Sequence, residues 1–338
     1  MSATGTGATI FGCAGPDLAE AERAFFRDAD PFGFILFARN VESPEQLRRL
    51  TDALRSSVGR DAPVFVDQEG GRVQRLRAPH WREWLPPLEQ IERTGRRAAE
   101  GMAIRSRIIA AELRAVGIDG NCAPCADLAT AATHPFLRNR CYGESPDQVA
   151  LVARQVAEAH LQGGVLPVIK HMPGHGRSSA DTHHDLPRVD VPAQTLIETD
   201  FAPFRALKNL PLAMTAHIVF PAYDPDLPAT QSPAMNRVIR EQIGFAGLLM
   251  TDDLNMQALS GSLAERTGRA MAAGCDLALH CKGDLAEMIA VATAAGQMGP
   301  DSLDRAAAAL EWRKAPDVVD IPALEAKLAQ MLQEGPDG

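Results

Sequence analysis

Short apolar runs alternate with helical stretches along most of this chain, and that alternation is the strongest constraint on its fold. Apolar runs fall at residues 8–13, 33–37, 64–67, 118–123, 165–169, 212–217, 247–252 and 276–280. Each is four to six residues long, too short for a buried helix and bounded by Gly, Pro or polar residues, so each reads as a buried strand. Between most of them lie helical patterns. Ser43-Pro44-Glu45-Gln46 and Ser145-Pro146-Asp147-Gln148 have the form of capping boxes with proline at the first helical position. After the first box, Leu47, Leu50, Leu54 and Val58 share one helical face and Gly59 stops the helix; after the second, Val149, Val152 and Val156 do the same and Gly163-Gly164 ends it. Further helices are predicted at 19–27, 96–115, 194–208, 236–243 and 262–273. Eight strands separated by helices predict an α/β protein, a single (β/α)8 TIM-type barrel, with an open doubly wound sheet as the alternative. No linker is visible, so residues 1–338 read as one catalytic domain with a helical tail over about 301–338 and a disordered end at 334–338.

In such a barrel the chemistry gathers at the carboxyl ends of the strands. The run 165–169 leads directly into Lys170-His171-Met172-Pro173-Gly174-His175-Gly176, and four of the nine histidines lie within residues 170–187: His171, His175, His183 and His184. That segment holds too much Gly, Pro and Ser for a helix or strand. Other predicted strand ends carry Asp67-Gln68-Glu69-Gly70-Gly71-Arg72 with Arg75, then Asp127, Arg138 and Arg140, then Thr215-Ala216-His217, and Thr251-Asp252-Asp253. A rim of this kind offers a carboxylate to attack, a titratable group to move a proton, and Arg, Lys and Asp to hold hydroxyl or anionic groups.

The remaining composition narrows the classes. A net charge of −9 argues against a nucleic-acid partner. No apolar run approaches a membrane span, and residues 1–8 lack a basic segment followed by an apolar one, so no membrane partner and a cytoplasmic location are expected. Neither G-x-G-x-x-G nor a phosphate-loop motif occurs, which leaves nucleotide readings without support. Cys122 and Cys125 form a C-x-x-C, but no second pair and no helix start accompany it; the six cysteines read as buried or loop thiols.

Four motifs, in order, carry a resemblance: Val66-Asp67-Gln68-Glu69-Gly70-Gly71-Arg72-Val73, Lys170 through Gly176, Asp181-x-His183 with Leu186-Pro187, and Thr251-Asp252-Asp253-Leu254-Asn255-Met256. Together they resemble the family 3 glycoside hydrolases, and among them the single-domain bacterial β-N-acetylglucosaminidases of peptidoglycan recycling, over roughly residues 10 to 285. The resemblance implies a nucleophile at Asp252, an acid/base at His183 with Asp181 as its dyad partner, and sugar-binding positions at Asp67, Arg75, Arg140, Lys170 and His171. It implies no metal and no cofactor. Its expected partner is a carbohydrate bearing terminal β-1,4-linked N-acetylglucosamine on 1,6-anhydro-N-acetylmuramic acid peptides, and a monomer is expected. Three positions depart from the family's usual pattern. Met172 stands where Phe is usual, Arg177 replaces a small or acidic residue, and His184 makes a His-His pair, so the acid/base assignment rests on the Asp-x-His spacing.

Physical chemistry accompanies these roles. A retaining glycosidase needs a nucleophile on one face of the sugar and an acid on the other, and most use two carboxylates. A histidine beside an aspartate has its pKa raised and its ring oriented, which suits a group that must give a proton and later take one. The Gly/Ser-rich segment around His183 suits an element that closes over substrate. Three alternatives share the fold: a metal-dependent hydrolase built on the histidines, a sugar-binding protein without catalysis, and a hydrolase using the substrate's acetamido group, for which Asp252-Asp253 would supply the acidic pair. Against the last, adjacent side chains at a strand end diverge.

Overall fold

The computed structural model describes residues 4–178 and 186–336. Its main sheet has eight strands: β1 (Gly7–Phe11), β2 (Pro31–Leu36), β3 (Val64–Val66), β4 (Gly120–Asn121), β5 (Leu166–Met172), β6 (Leu212–Thr215), β7 (Leu248–Met250) and β8 (Ala278–His280). They pair in parallel in the order β8-β1-β2-β3-β4-β5-β6-β7. A parallel bridge between Met250 and Leu277 joins the two ends, so the sheet closes into the (β/α)8 barrel that the alternation predicts. The open-sheet alternative is set aside by that bridge.

Side-chain alternation sorts each strand between two apolar layers. Ala8 and Ile10, Leu166 and Val168, Leu212 and Met214, and Leu248 and Met250 belong to one buried cluster inside the barrel. Their neighbours Phe11, Ile169, Ala213 and Leu249 belong to the clusters beneath the helices. Phe65 fills the barrel where Gly120 faces it: a Cβ at Gly120 would stand 2.2 Å from the Phe65 ring, so this place needs glycine.

The outer layer includes α1 (Glu20–Ala29), α2 (Pro44–Val58), α3 (Ala98–Arg114), α4 (Pro146–Gln162), α5 (Leu263–Ala273) and α6 (Leu285–Ala295). Ser43 Oγ accepts from the Gln46 amide, as the first capping motif predicts, but the Gln46 side chain accepts from Glu42 rather than from Ser43. The second capping box does not form. Ser145 makes no side-chain cap bond, and Gln148 donates to the Tyr142 carbonyl instead. Two other expectations are corrected. The helix predicted at 194–208 is split into Ala193–Glu198 and Ala202–Ala206, because Asp200 at the break is held by Arg177 and Pro203 has no N–H to continue the ladder. The helix predicted at 236–243 starts earlier, at Pro233–Arg237, and runs on as a π-helical segment over Val238–Ile243.

Two further helices, α7 (Pro300–Leu310) and α8 (Ile321–Glu334), follow. Helix α7 lies across the amino-terminal ends of the strands. Ala306 and Ala309 join the barrel-interior cluster, Arg305 pairs with Asp276 just before β8 at 2.9 Å, and Arg313 pairs with Asp119 just before β4 at 2.7 Å. Leu328 and Met331 of α8 pack on Ile104 and Ile108 of α3. The end expected to be disordered from 334 begins inside this helix, where Glu334 pairs with Arg97 at 2.7 Å. All six cysteines are free and buried. Among the described residues, no helix is long and apolar enough to cross a membrane.

Candidate active site

The inward register of the strands delivers charge to the barrel mouth. Phe65 is followed two residues on by Asp67, Leu166 and Val168 by Lys170, and Leu248 and Met250 by Asp252. These three side chains, with Arg75, Arg140 and His171, line one cavity of about 500 Å³ at the carboxyl ends of the strands. All six of those predicted site residues are therefore brought together. Asp181 and His183 lie outside the described residues.

One ionic network holds the wall of this cavity. Lys170 Nζ is 2.8 Å from Asp67 Oδ1 and 2.7 Å from Glu69 Oε1. Arg75 Nη2 donates to Asp67 Oδ2 at 2.9 Å. Arg140 forks onto Glu69, with Nε at 2.9 Å from Oε2 and Nη2 at 2.8 Å from Oε1. Burial opposes ionisation of Asp67 and Glu69, but the adjacent cations outweigh it. Asp67 is held well below the usual carboxylate range by Lys170 and Arg75, and Glu69 is lowered to about 2 by Arg140 and Lys170. Burial likewise disfavours the charged forms of Lys170 and Arg140, yet their carboxylate partners raise both. The result is a wall of fixed donors and acceptors whose charges stay on.

A second cluster orients His171. Its Nδ1 donates to Asp127 Oδ2 at 2.7 Å, and its Nε2 lies 3.4 Å from Arg140 Nη2. Asp127 Oδ1 accepts the backbone amides of His171 at 3.2 Å and His175 at 2.7 Å. Burial lowers His175 to about 4, so its ring is neutral near pH 7. Glycine is required beside it: a Cβ at Gly176 would stand 1.8 Å from the Leu128 carbonyl oxygen. Among the described residues, Cys125, Asp127 and His171 form a group of ligand-type atoms within 4.8 Å of one another. Those atoms are already joined by hydrogen bonds, with Cys125 Sγ 3.3 Å from the Asp127 Oδ2 that His171 also engages.

Asp252 and Asp253 occupy different environments. For Asp252, burial raises the pKa, but His171, His217, the Asp253 amide at 2.8 Å and Lys170 together hold the carboxyl below its ordinary value. Asp253 is pushed up to about 6, chiefly by burial. Its Oδ1 is occupied by the backbone amides of Asn255 at 3.1 Å and Cys281 at 3.2 Å. Both aspartates line the cavity, but adjacent carboxyls with separated pKa values have separate jobs: Asp252 is held in its ionised form, while Asp253 ties its own loop to the end of β8.

Sequence reasoning noted Glu69, Asp127 and His175 at the predicted rim but gave them no role in the site; the structure shows Glu69 and Asp127 holding the residues that line the cavity and His175 lining it. Phe136 and Asn255 also line the cavity. Arg138, named with Arg140 at a predicted strand end, turns away from the cavity to pair with Glu144.

The chain is similar to known proteins in sequence and in fold. Residues 16–310 match the family described as glycosyl hydrolase family 3 N terminal domain. The chain belongs to glycosyl hydrolase family 3. Its family 3 relatives include a β-hexosaminidase of Alkalilimnicola ehrlichii, 38% identical over 283 residues that cover 81% of this chain and 80% of the relative. Another from Methylococcus capsulatus is 35% identical over 331 residues, covering 91% of this chain and 97% of the relative. Among solved structures, NagZ from Neisseria gonorrhoeae in complex with N-trifluoroacetyl-D-glucosamine superposes with a TM-score of 0.86 at 27% identity, covering 98% of this chain and 100% of that one.

Proposed function

We propose that this family 3 β-hexosaminidase removes terminal β-linked N-acetylglucosamine with retention of configuration, through a covalent glycosyl-enzyme on Asp252. The observation that carries the reading is one cavity lined both by Asp252, whose carboxyl is held below its ordinary pKa, and by a wall of hydrogen-bonding ions. A pyranose presents hydroxyls that both give and accept. Asp67 can accept from such hydroxyls, while Lys170, Arg75 and Arg140 can donate to them. Because these groups are already paired with one another, they need little reorganisation when sugar binds. His171, held by Asp127, supplies a further oriented group in the same cavity. The complex of the gonococcal NagZ with an N-acylglucosamine supports the choice of sugar.

In the proposed first step an Asp252 oxygen bonds to the anomeric carbon as the glycosidic C–O bond breaks, and His183 gives its proton to the departing oxygen. In the second, His183 takes a proton from water, whose oxygen bonds to the anomeric carbon and releases Asp252. The assignment of His183, with Asp181 as its partner, rests on the Asp-x-His motif. The proposed substrate is N-acetylglucosaminyl-1,6-anhydro-N-acetylmuramyl peptide, acted on in the cytoplasm by a monomer, where six free thiols would stay reduced.

The test is nitrophenol release from an aryl N-acetyl-β-glucosaminide and sugar release from anhydromuropeptides, each with and without chelator. Wild-type turnover should survive chelator, and Asp252→Ala should lose about four to six orders of magnitude in kcat, the scale seen when a chemically essential group is removed. Turnover abolished by chelator would point to a metal-dependent hydrolase. Sugar binding without turnover in the wild type would leave a binding protein as the better account.

A further inference from the structure

We propose that His217 is a positioning residue for Asp252, acting through the peptide backbone of Asp253. The proposal rests on Asp252 being the nucleophile. His217 is fully buried at the end of β6 and reaches across to the loop that follows β7. Its Nε2 lies 3.1 Å from the carbonyl oxygen of Asp253. A carbonyl can only accept, so this ring nitrogen carries the hydrogen. Its Nδ1 lies 2.7 Å from Thr230 Oγ1, which in turn lies 2.8 Å from Thr215 Oγ1. Burial lowers the pKa of His217, and Thr230 Oγ1, which also donates to the Ala216 carbonyl at 3.0 Å, holds the Nδ1 edge of the ring.

Consider what remains free at residue 253. Its carboxylate is tied to the amides of Asn255 and Cys281, and its own N–H donates to Asp252 Oδ1 at 2.8 Å. Its carbonyl is the group that His217 secures. The relay therefore runs from the threonine pair to His217, to the Asp253 carbonyl, and back through the Asp253 N–H to one oxygen of the Asp252 carboxylate. That bond leaves the other Asp252 oxygen to attack and fixes the plane in which it lies. Without His217 the Asp253 carbonyl loses its donor, and the amide that aims Asp252 loses its anchor. Misplacement of about 1 Å at a reacting group can cost about 100-fold in rate.

Side-chain geometry makes the test selective. In Gln the amide nitrogen falls near the position of histidine Nε2, whereas in Asn it falls near Nδ1. The full-length enzyme is reacted with a 5-fluoro N-acetylglucosaminyl donor that stalls the covalent intermediate. The trapping rate, the labelled peptide, KM and kcat for an aryl glycoside, and the thermal midpoint are measured for wild type, H217Q, H217N, H217F and T230V. Trapping and kcat should fall by about 100-fold in H217F and H217N, the scale set by misaligned reacting groups, with KM within about twofold. H217Q should recover most of the rate, and T230V should fall in the same direction by a smaller factor. Should H217F fail to fold, the contrast between H217Q and H217N, together with T230V, still decides. Wild-type trapping in H217F with label on Asp252 would overturn the inference, as would equal losses in H217Q and H217N. Label on any other residue would instead overturn the nucleophile assignment.

Discussion

Lys170 Nζ stands 2.7 Å from Glu69 Oε1, and both side chains are almost sealed from solvent. Glu69 also takes the fork of Arg140, so one carboxylate compensates two buried cations. Removing one member of a buried ion pair leaves uncompensated charge and costs about 3–5 kcal/mol. Glu69→Ala should therefore lower folding stability by about that amount. It should also raise KM, since Lys170 and Arg140 lose the partner that orients them. Urea unfolding and steady-state kinetics check the two effects separately.

Acid should unfold the protein in two overlapping stages. Burial lowers His160 and His175 from 6.5 to about 4, and Glu69 is lowered from 4.5 to about 2, its cations overcoming the burial that opposes ionisation. In each case the folded value lies below the unfolded one, so the unfolded state binds more protons as pH falls. The stabilisation is complete above pH 6.5. The histidine part is lost between 6.5 and about 4, and the Glu69 part between 4.5 and about 2. A series of thermal midpoints should be level with respect to these groups above pH 6.5 and fall below it. His160→Leu should make the upper part of that fall shallower.

Two glycines should respond to alanine in opposite ways. At Gly176 the new Cβ meets the Leu128 carbonyl at 1.8 Å, next to the Asp127 that orients His171. Gly176→Ala should cost about 1–3 kcal/mol, the usual toll of overpacking, and lower kcat/KM as the Asp127 loop shifts. Gly268, inside α5, has nothing within 4 Å of a built Cβ. Gly268→Ala should leave activity unchanged and stabilise by up to about 1 kcal/mol through helix propensity. Thermal midpoints and kinetics on both variants give the comparison.

At the opposite end of the barrel, Asp276 accepts from Arg240, Arg305, Ser302 and the Leu249 amide. Asp276→Ala leaves two arginines without their buried partner and should cost about 3–5 kcal/mol. Because this cluster lies at the amino-terminal ends of the strands, kcat/KM per folded molecule should not change. Chemical denaturation paired with kinetics at a temperature where the variant stays folded distinguishes it from a site mutation.

Much of this architecture was legible because local rules and the global fold agree. Short apolar runs at 212–217 and 247–252 placed strands, and the structure turns Leu248 and Met250, four and two residues before Asp252, into the barrel. Positions Asp67, Arg75, Arg140, Lys170 and His171 were implied by the resemblance to family 3, and the cavity gathers all of them. Where the local reading failed, a partner outside the helix had intervened. Gln148 was free to close a capping box until the Tyr142 carbonyl came within 3.1 Å of it. Asp200, engaged by Arg177, interrupts a helix that its neighbours would otherwise continue.

The chain's order of apolar and polar residues by itself determined eight strands and the acids and bases at their ends, because a short apolar run bounded by breakers is a local signal. Only the tertiary structure decided which charges neutralise which. Glu69 meets Arg140 across 71 positions, Lys170 meets Asp67 across 103, and His217 meets the Asp253 carbonyl across 36. Those contacts depend on barrel closure and strand register, and the ionisation of each group depends on the contacts. An aspartate at a strand end is written in the sequence. Whether its pKa is held down by nearby histidines or pushed up while backbone amides tie its carboxyl to the loop is settled by what surrounds it.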